Sequence, residues 1–194
     1  MRFTRAELEA CRGDTLPDLL GPDVRLLFVG INPGLWTAAV QAHFGRRGNR
    51  FYPALYRAGI VDRLIDASSG YDPDDLAHLK ARGIGITNLV HEATARADEL
   101  DTDALVAGGE SLAARVPRIG PAVVAVLGIT AYRTAFARPR ATAGRRPEDL
   151  GGAQLWVAPN PSGLNAHATL AGLADAYREV AAAAGIDVLE PPSA

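Results

Sequence analysis

Short apolar runs alternate along this chain with segments whose apolar residues recur at helical spacing. Apolar segments of strand length at residues 24–29, 122–127 and 155–158 predict buried strands, and so do Ile84, Ile86 and Leu89 within residues 83–90. Helical spacing or an early proline predicts helices over residues 51–58, 72–82, 101–115, 130–136 and 166–184, after a short helix and a lead-in loop within the first twenty or so residues. This alternation is typical of an α/β fold in which crossover helices join the strands of a parallel sheet.

Two longer stretches lack either pattern. Residues 35–49 are rich in small side chains, and residues 138–152 are rich in proline, glycine and arginine, so both are predicted to be loops. A long loop inside a domain is usually functional. No tandem repeat or domain boundary interrupts the pattern. We therefore expect one domain over residues 1–194, with a short flexible tail from about residue 189.

Composition narrows the functional classes. Twenty Lys and Arg against 22 Asp and Glu give a formal net charge of −2, so the chain as a whole does not attract nucleic acid, although a local basic patch remains open. Cys11 is the single cysteine, which excludes an intramolecular disulfide and a thiolate metal cage. The N-terminus lacks the apolar core of a signal peptide, and no apolar stretch approaches the length of a membrane span. A cytoplasmic enzyme or binding protein is the expectation.

Two predicted strands end in similar turns that carry an asparagine before a proline. Gly30-Ile31-Asn32-Pro33-Gly34 follows the first strand, and Asn160-Pro161-Ser162-Gly163 follows the last. If the strands are parallel, both turns lie at the carboxyl edge of the sheet, where open α/β sheets bind ligands, and they can form two walls of one cleft. The alternatives are that Asn32 only hydrogen-bonds its own turn and that the two turns are unrelated.

The loop over residues 35–49 contains an aromatic side chain among basic residues. Phe44 is suited to stacking on a nucleic-acid base, or it fills the core beneath the loop. Two groups of arginines are candidates for contacts with phosphate, or they are simply solvated: Arg46, Arg47 and Arg50, and then Arg138, Arg140, Arg145 and Arg146.

Several familiar catalytic patterns are absent. The chain has no P-loop, no complete dinucleotide-binding glycine pattern and no Gly-x-Ser-x-Gly elbow of an α/β-hydrolase. His91-Glu92 lacks the second histidine of a zinc protease, and one cysteine cannot supply the Pro-Cys-x-x-Cys of a zinc deaminase. We therefore expect a site without a metal or cofactor.

Five motifs occur in a specific order. They are Gly30-Ile31-Asn32-Pro33-Gly34-Leu35, His43-Phe44, Gly48-Asn49-Arg50-Phe51-Tyr52, Thr87-Asn88-Leu89-Val90 and Asn160-Pro161-Ser162-Gly163-Leu164. Over roughly residues 24 to 180, the chain resembles the mismatch-specific uracil-DNA glycosylase family, the bacterial relatives of thymine-DNA glycosylase. The resemblance implies a three-layer α/β/α fold with a small central parallel sheet, and hydrolysis of the N-glycosidic bond of uracil flipped from a G·U mispair.

The resemblance also implies roles for individual residues. Asn32 corresponds to the residue that positions the attacking water, and Phe44 to the aromatic that stacks on the extruded base. Asn88 would hydrogen-bond the pyrimidine edge, and Thr37 and His43 lie where base choice is tuned. The implied substrate-binding set is Gly30, Ile31, Gly34, Thr37, His43, Phe44 and Asn88, and the implied DNA-binding set is Asn160, Ser162, Gly163, Leu164, Asn165, Arg46 and Arg47.

The physical chemistry of base excision agrees with these roles. A base inside a duplex is unreachable, so it must be extruded, and an apolar wedge such as Leu164 can fill the vacated stack. Backbone N–H groups near residues 30–35 can stabilise the departing uracil anion. Asn32 can only orient water, because an amide takes no proton near neutral pH.

The chain departs from the family pattern at three positions. Glu92 stands where a basic residue is more usual, Ala166 where a polar or basic residue follows the wedge, and Gln41 where glycine is frequent. These changes bear on substrate range. The expected partner is double-stranded DNA with a mismatched or damaged base, acted on by a monomer in the cytoplasm or nucleoid. The alternatives are a non-catalytic mismatch-binding protein of the same fold and an enzyme acting on free nucleosides, whose activity would be insensitive to salt.

Overall fold

A five-stranded sheet forms the centre of the protein in the computed structural model, which describes residues 2–163, 165 and 168–190. The strands are β1 (Leu26–Gly30), β2 (Ile84–Asn88), β3 (Val123–Leu127), β4 (Gly144–Leu150) and β5 (Ala153–Ala158), in the spatial order β2-β1-β3-β5-β4. The strands β2, β1, β3 and β5 run parallel to one another, whereas the edge strand β4 is antiparallel to β5. All four predicted strands therefore occur, as β1, β2, β3 and β5.

Besides a 3₁₀ turn at Ala97–Glu99, seven α-helices accompany the sheet in the described residues. They are α1 (Arg5–Glu9), α2 (Leu35–Val40), α3 (Phe51–Arg57), α4 (Pro73–Ala81), α5 (Thr102–Ile119), α6 (Ile129–Ala135) and α7 (Leu170–Ala183). None of them has the length and apolar character that crossing a bilayer demands.

Alternating residues of the strands enter two separate cores. On one face of β1 and β3, Phe28 and Ala125 pack with residues of α3, α4 and α7. On the other face, Val29 and Val126 pack with residues of α5 and α6. Because successive side chains of a strand point to opposite faces, a fully apolar strand can serve both layers. The predicted three-layer α/β/α fold is confirmed.

The predicted loop over residues 138–152 is wrong, because residues 144–150 form the edge strand β4. This strand runs antiparallel to β5, with Leu150 paired to Ala153. Gly151 and Gly152 form the two-residue connection, with φ values of 57° and 91°. Two successive positive φ angles are what a tight hairpin turn needs, and glycine supplies them without strain. The sheet is therefore mixed rather than wholly parallel.

One further loop prediction and one helix prediction also need correction. The predicted loop over residues 35–49 begins with α2, a short helix. The last helix starts at Leu170 rather than at residue 166, because the Thr169 side chain caps it by accepting a hydrogen bond of 3.0 Å from the Gly172 N–H.

Candidate functional site

A cleft of about 320 Å³ opens at the carboxyl ends of the parallel strands. The turn after β1, called here the Asn32 turn (residues 30–34), and the turn after β5, called the Asn160 turn (residues 160–165), both contribute to it. Parallel strands place their following turns at the same edge, so the predicted common cleft is confirmed. The lining residues are Gly30, Ile31, Asn32, Pro33, Gly34, Thr37, His43, Phe44, Arg46, Asn49, Asn88, Thr94, Ala95, Arg96, Ala97, Asp98, Leu127, Asn160 and Ser162.

The side-chain amide of Asn32 is held in one orientation. Its Nδ2 lies 2.8 Å from Thr94 Oγ1, 3.1 Å from the Glu92 carbonyl oxygen and 3.1 Å from the Pro33 carbonyl oxygen. Carbonyl oxygens only accept hydrogen bonds, and Thr94 Oγ1 donates its own hydrogen to the Arg96 carbonyl at 2.7 Å. The NH2 group of Asn32 must therefore face these acceptors.

This arrangement bears on the two interpretations of Asn32. The amide does bond its own turn, through Pro33, but it also joins the loop after β1 to the loop after β2. Since the amide nitrogen is engaged, the Oδ1 atom is the hydrogen-bond acceptor that Asn32 can offer to a ligand or water in the cleft.

His43 is buried and neutral rather than part of an exposed polar loop. Its side chain is 2% exposed, and burial lowers its pKa to about 4, against smaller opposing effects of the Pro17 carbonyl and Asp18. The Nε2 atom lies 3.0 Å from the Pro17 carbonyl oxygen, so Nε2 carries the proton. A neutral imidazole has one N–H, which makes Nδ1 an acceptor.

The tautomer of His43 in turn sets the orientation of Asn88. Asn88 Nδ2 lies 3.5 Å from His43 Nδ1 and donates to it, a long hydrogen bond. The Asn88 Oδ1 atom then faces Gly30, where a Cβ atom would lie only 2.4 Å from it. The cleft therefore contains an amide oxygen and one remaining amide N–H of Asn88, in an order determined by His43.

Phe44 and Asn88 lie on either side of the space next to Gly30. A Cβ atom on Gly30 would lie 3.3 Å from Phe44 Cζ as well as close to Asn88, so glycine keeps the space between these two side chains open. Phe44 stacks on Phe51, with ring centroids 4.1 Å apart and an angle of 26° between the planes. It therefore packs against the core and also lines the cleft.

The Asn160 turn is shaped by its own side chains. Asn160 Oδ1 accepts a hydrogen bond of 2.9 Å from the Ser162 N–H, and Asn165 Nδ2 donates to the Asn160 carbonyl at 3.1 Å. Asn160 and Ser162 line the cleft, whereas Gly163 and Asn165 do not. The predicted wedge, Leu164, lies outside the described residues, as does Ala166.

The two groups of arginines differ in position. Arg46 lines the cleft, and Arg47 lines an adjoining pocket of about 280 Å³; both are exposed. The guanidinium of Arg50, in contrast, is directed at backbone carbonyl groups of the chain itself.

The second group lies at the other edge of the sheet, on and before β4, and none of its four members lines the cleft. Arg138 lies 3.4 Å from Glu148, and Arg145 lies 2.9 Å from Asp149. Arg146 donates to the Thr142 carbonyl and lies over the Tyr132 ring. The position of this group does not support a role at the cleft.

One wall of the cleft was not predicted from the sequence. Residues 94–98, in the loop that follows β2, line it, including an exposed ion pair between Arg96 and Asp98. The rule that loops after parallel strands line the binding edge would have indicated this segment. Glu92 participates through its backbone carbonyl; its side chain is exposed and is not among the groups lining the cleft.

A network of charged and polar side chains lies behind Asn88, on the side away from the cleft. Arg115 Nη1 lies 2.8 Å from Asp18 Oδ2 and 2.9 Å from Thr87 Oγ1, and Arg115 Nη2 lies 3.3 Å from the Asn88 carbonyl oxygen. Asp18 follows Pro17, the residue that bonds His43. The network therefore links the residues before β1 to the end of β2 and supports the positions of His43 and Asn88.

Comparison with known proteins agrees with this fold. The fold is similar to the solution NMR structure of a "putative Uracil DNA glycosylase" from Methanosarcina acetivorans, with a TM-score of 0.55, 16% sequence identity, and coverage of 88% of this chain and 98% of that one. A likeness at this identity shows the fold alone. The model of the uracil DNA glycosylase superfamily matches residues 17–182, a span that contains both turns of the cleft. The chain belongs to the uracil DNA glycosylase superfamily.

Proposed function

We propose that the protein is a monofunctional DNA glycosylase that hydrolyses the N-glycosidic bond of uracil flipped out of duplex DNA, preferentially from a G·U mispair. Membership of the superfamily supports the reaction class. The observation that carries the proposal is the orientation of Asn32, whose NH2 group is held by Thr94, Glu92 and Pro33 and whose Oδ1 remains to orient a water. A monomer acting on double-stranded DNA, as in the mismatch-specific branch of the superfamily, completes the proposal.

The base would occupy the slot between Phe44 and Asn88. Phe44 offers an aromatic face for stacking, and stacking is worth about 1–3 kcal/mol per base. Asn88 offers Oδ1 and one N–H, which complement the N3–H and O4 of uracil. The protonated Nε2 of His43 fixes which of these two Asn88 groups stands at each position. Cytosine has an acceptor at N3 and a donor amino group at N4, so its N3 would face the Asn88 oxygen and its amino group would face the Asn88 N–H.

Hydrolysis would then proceed by departure of the base. The glycosidic bond lengthens, positive charge develops on the sugar, and the uracil leaves as an anion that backbone N–H groups of the Asn32 turn stabilise. The water oriented by Asn32 Oδ1 adds to the sugar and loses its proton to solvent, because an amide is not a base near neutral pH. The product is an abasic site in an uncut strand.

The DNA would be held by Arg46 and Arg47 and by the Asn160 turn. The two arginines are exposed beside the cleft and suited to phosphate contacts. Asn160, Ser162, Gly163, Leu164 and Asn165 would enter the duplex at the mispair and face the widowed guanine. Unpairing is least costly at a mispair, which supports a preference for G·U.

The test uses a duplex oligonucleotide with a single G·U pair. After incubation and alkali treatment, we expect a strand break at the uracil position, and none in the matched G·C duplex. Asn32→Ala should abolish the break while duplex binding remains within about threefold of the unmodified protein, because the amide orients water rather than holding DNA.

Two outcomes would contradict the proposal. If the unmodified protein binds the G·U duplex selectively but yields no break, while another uracil-DNA glycosylase cuts the same duplex, the protein is a mismatch-binding module. If free deoxyuridine is hydrolysed at a rate that salt does not change, and the duplex is not, the substrate is a nucleoside, because phosphate contacts make DNA affinity fall steeply with salt.

A further inference from the structure

Arg50 holds the Asn160 turn through several backbone carbonyl groups. Its Nη2 donates to the Ser162 carbonyl at 2.7 Å and to the Asn165 carbonyl at 2.9 Å, and its Nη1 donates to the Ala168 carbonyl. The Arg50 backbone N–H also donates to the Pro161 carbonyl at 3.0 Å. One residue therefore bonds four carbonyl groups along a stretch of eight positions that precedes α7.

Arg50 also lies next to the residues that form the aromatic wall of the cleft. It immediately precedes α3, and the ring of Phe51, the first residue of α3, stacks on the ring of Phe44. The two loops also touch directly, since a Cβ on Gly163 would lie 2.7 Å from the Gly48 carbonyl oxygen. The Asn160 turn is therefore bonded to the start of α3, the helix whose Phe51 supports Phe44 at the base slot.

The guanidinium of Arg50 serves a different purpose from those of Arg46 and Arg47. A planar fork with five donors can bond several carbonyl oxygens at once, which the point charge of a lysine cannot do in the same geometry. Arg46 and Arg47 are exposed, whereas Arg50 is half-buried and its guanidinium bonds the protein itself. A group engaged in this way is poorly placed to neutralise a phosphate.

We propose that Arg50 is a positioning residue: it holds the Asn160 turn in the shape that enters the duplex, and it makes no phosphate contact. This inference rests on the proposed function for the turn. It predicts that Arg50 acts on duplex DNA through the conformation of residues 161–169, and that its loss leaves the salt dependence of binding unchanged.

The experiment compares Arg50→Met and Arg50→Lys with Arg47→Met. Hydrogen–deuterium exchange of the free protein reports the turn: both Arg50 variants should exchange faster over residues 161–169, with α5 unchanged as the internal control. Arg47→Met should leave exchange over residues 161–169 unaltered. Because exchange needs no substrate, this measurement is independent of whether the protein is a glycosylase.

Binding to a G·U duplex that carries a non-hydrolysable 2′-fluorouridine then separates positioning from phosphate contact. The slope of log affinity against log salt should stay unchanged in both Arg50 variants and become shallower by about 0.9 in Arg47→Met, the value for one phosphate contact. In single-turnover cleavage, Arg50→Lys should lose about tenfold or more on the G·U duplex, a change of about 1.4 kcal/mol.

A uracil-containing single strand serves as the reference substrate, because it has no stack to fill and no opposite base. Arg50→Lys should lower the duplex rate more than the single-strand rate, which a general loss of stability would not do. The proposal is overturned if exchange over residues 161–169 is unchanged, if the salt slope of an Arg50 variant falls as in Arg47→Met, or if the two substrates lose equally. If the unmodified protein cleaves neither substrate, the proposed function fails, and the exchange and salt measurements still decide the role of Arg50.

Discussion

Acidification should destabilise the protein through one buried imidazole, that of His43. Burial lowers its pKa in the folded protein to about 4, from an ordinary value of 6.5. As the pH falls through 6.5, the unfolded chain takes up a proton that the folded protein does not. His43 therefore removes stability as the pH falls from about 6.5 to about 4, and adds no further loss below that, where both states are protonated.

The size of the effect follows from the two pKa values. One pKa unit corresponds to about 1.4 kcal/mol, so between pH 7 and pH 5 the free energy of unfolding should fall by about 2 kcal/mol because of His43, and by about 3 kcal/mol at pH 4. This is a large part of the 5–15 kcal/mol or so by which a typical domain is stable.

Urea unfolding at pH 7, 6 and 5 measures the effect, with His43→Gln as the matched control. Glutamine does not titrate and can still donate to the Pro17 carbonyl, the partner of His43 Nε2. Titration of the remaining groups cancels in the difference between the two proteins. The unmodified protein should lose about 2 kcal/mol more than His43→Gln between pH 7 and pH 5. Equal pH dependence in the two proteins would refute the argument that His43 is held neutral.

Two further substitutions test the cleft. Gly30→Ala places a Cβ 2.4 Å from Asn88 Oδ1 and 3.3 Å from Phe44 Cζ, so it should close the base slot and abolish cleavage of the G·U duplex without unfolding the protein; a cleavage rate near that of the unmodified protein would mean that the base binds elsewhere. Thr94→Val removes one acceptor that holds Asn32 and should lower the single-turnover rate about tenfold with duplex affinity unchanged, whereas Thr94→Ser, which keeps the hydroxyl, should stay near normal. Equal rates for the valine and serine variants would show that the hydroxyl does not orient Asn32.

Much of the fold was predictable because burial of the central strands leaves a local signal. Strands β1 and β3 contribute apolar side chains to both cores, since helices cover both sides of the sheet, and such strands appear as continuous apolar runs. The parallel direction of these strands then placed the Asn32 and Asn160 turns at one edge. This is why two turns more than 120 residues apart in the sequence could be predicted to share a cleft.

The edge strand β4 was missed for a physical reason. Its residues, Gly144–Leu150, include arginines, acids and a proline, because an edge strand is half solvated and protected from pairing by charge. The Gly151-Gly152 turn signal stood directly before the predicted last strand, but the residues that precede it contain no apolar run that would have identified a partner strand.

The sequence by itself determined which residue types stand at the carboxyl ends of the strands, and hence the expected chemistry of the cleft, because the positions of the strands along the chain follow from local apolar patterns. Only the tertiary structure decided which way those side chains face. The orientation of Asn32 depends on Thr94, that of Asn88 depends on His43 and Pro17, and the guanidinium of Arg50 bonds carbonyl groups more than 110 residues away. Hydrogen bonds between distant segments fix these choices, and no local pattern in the chain records them.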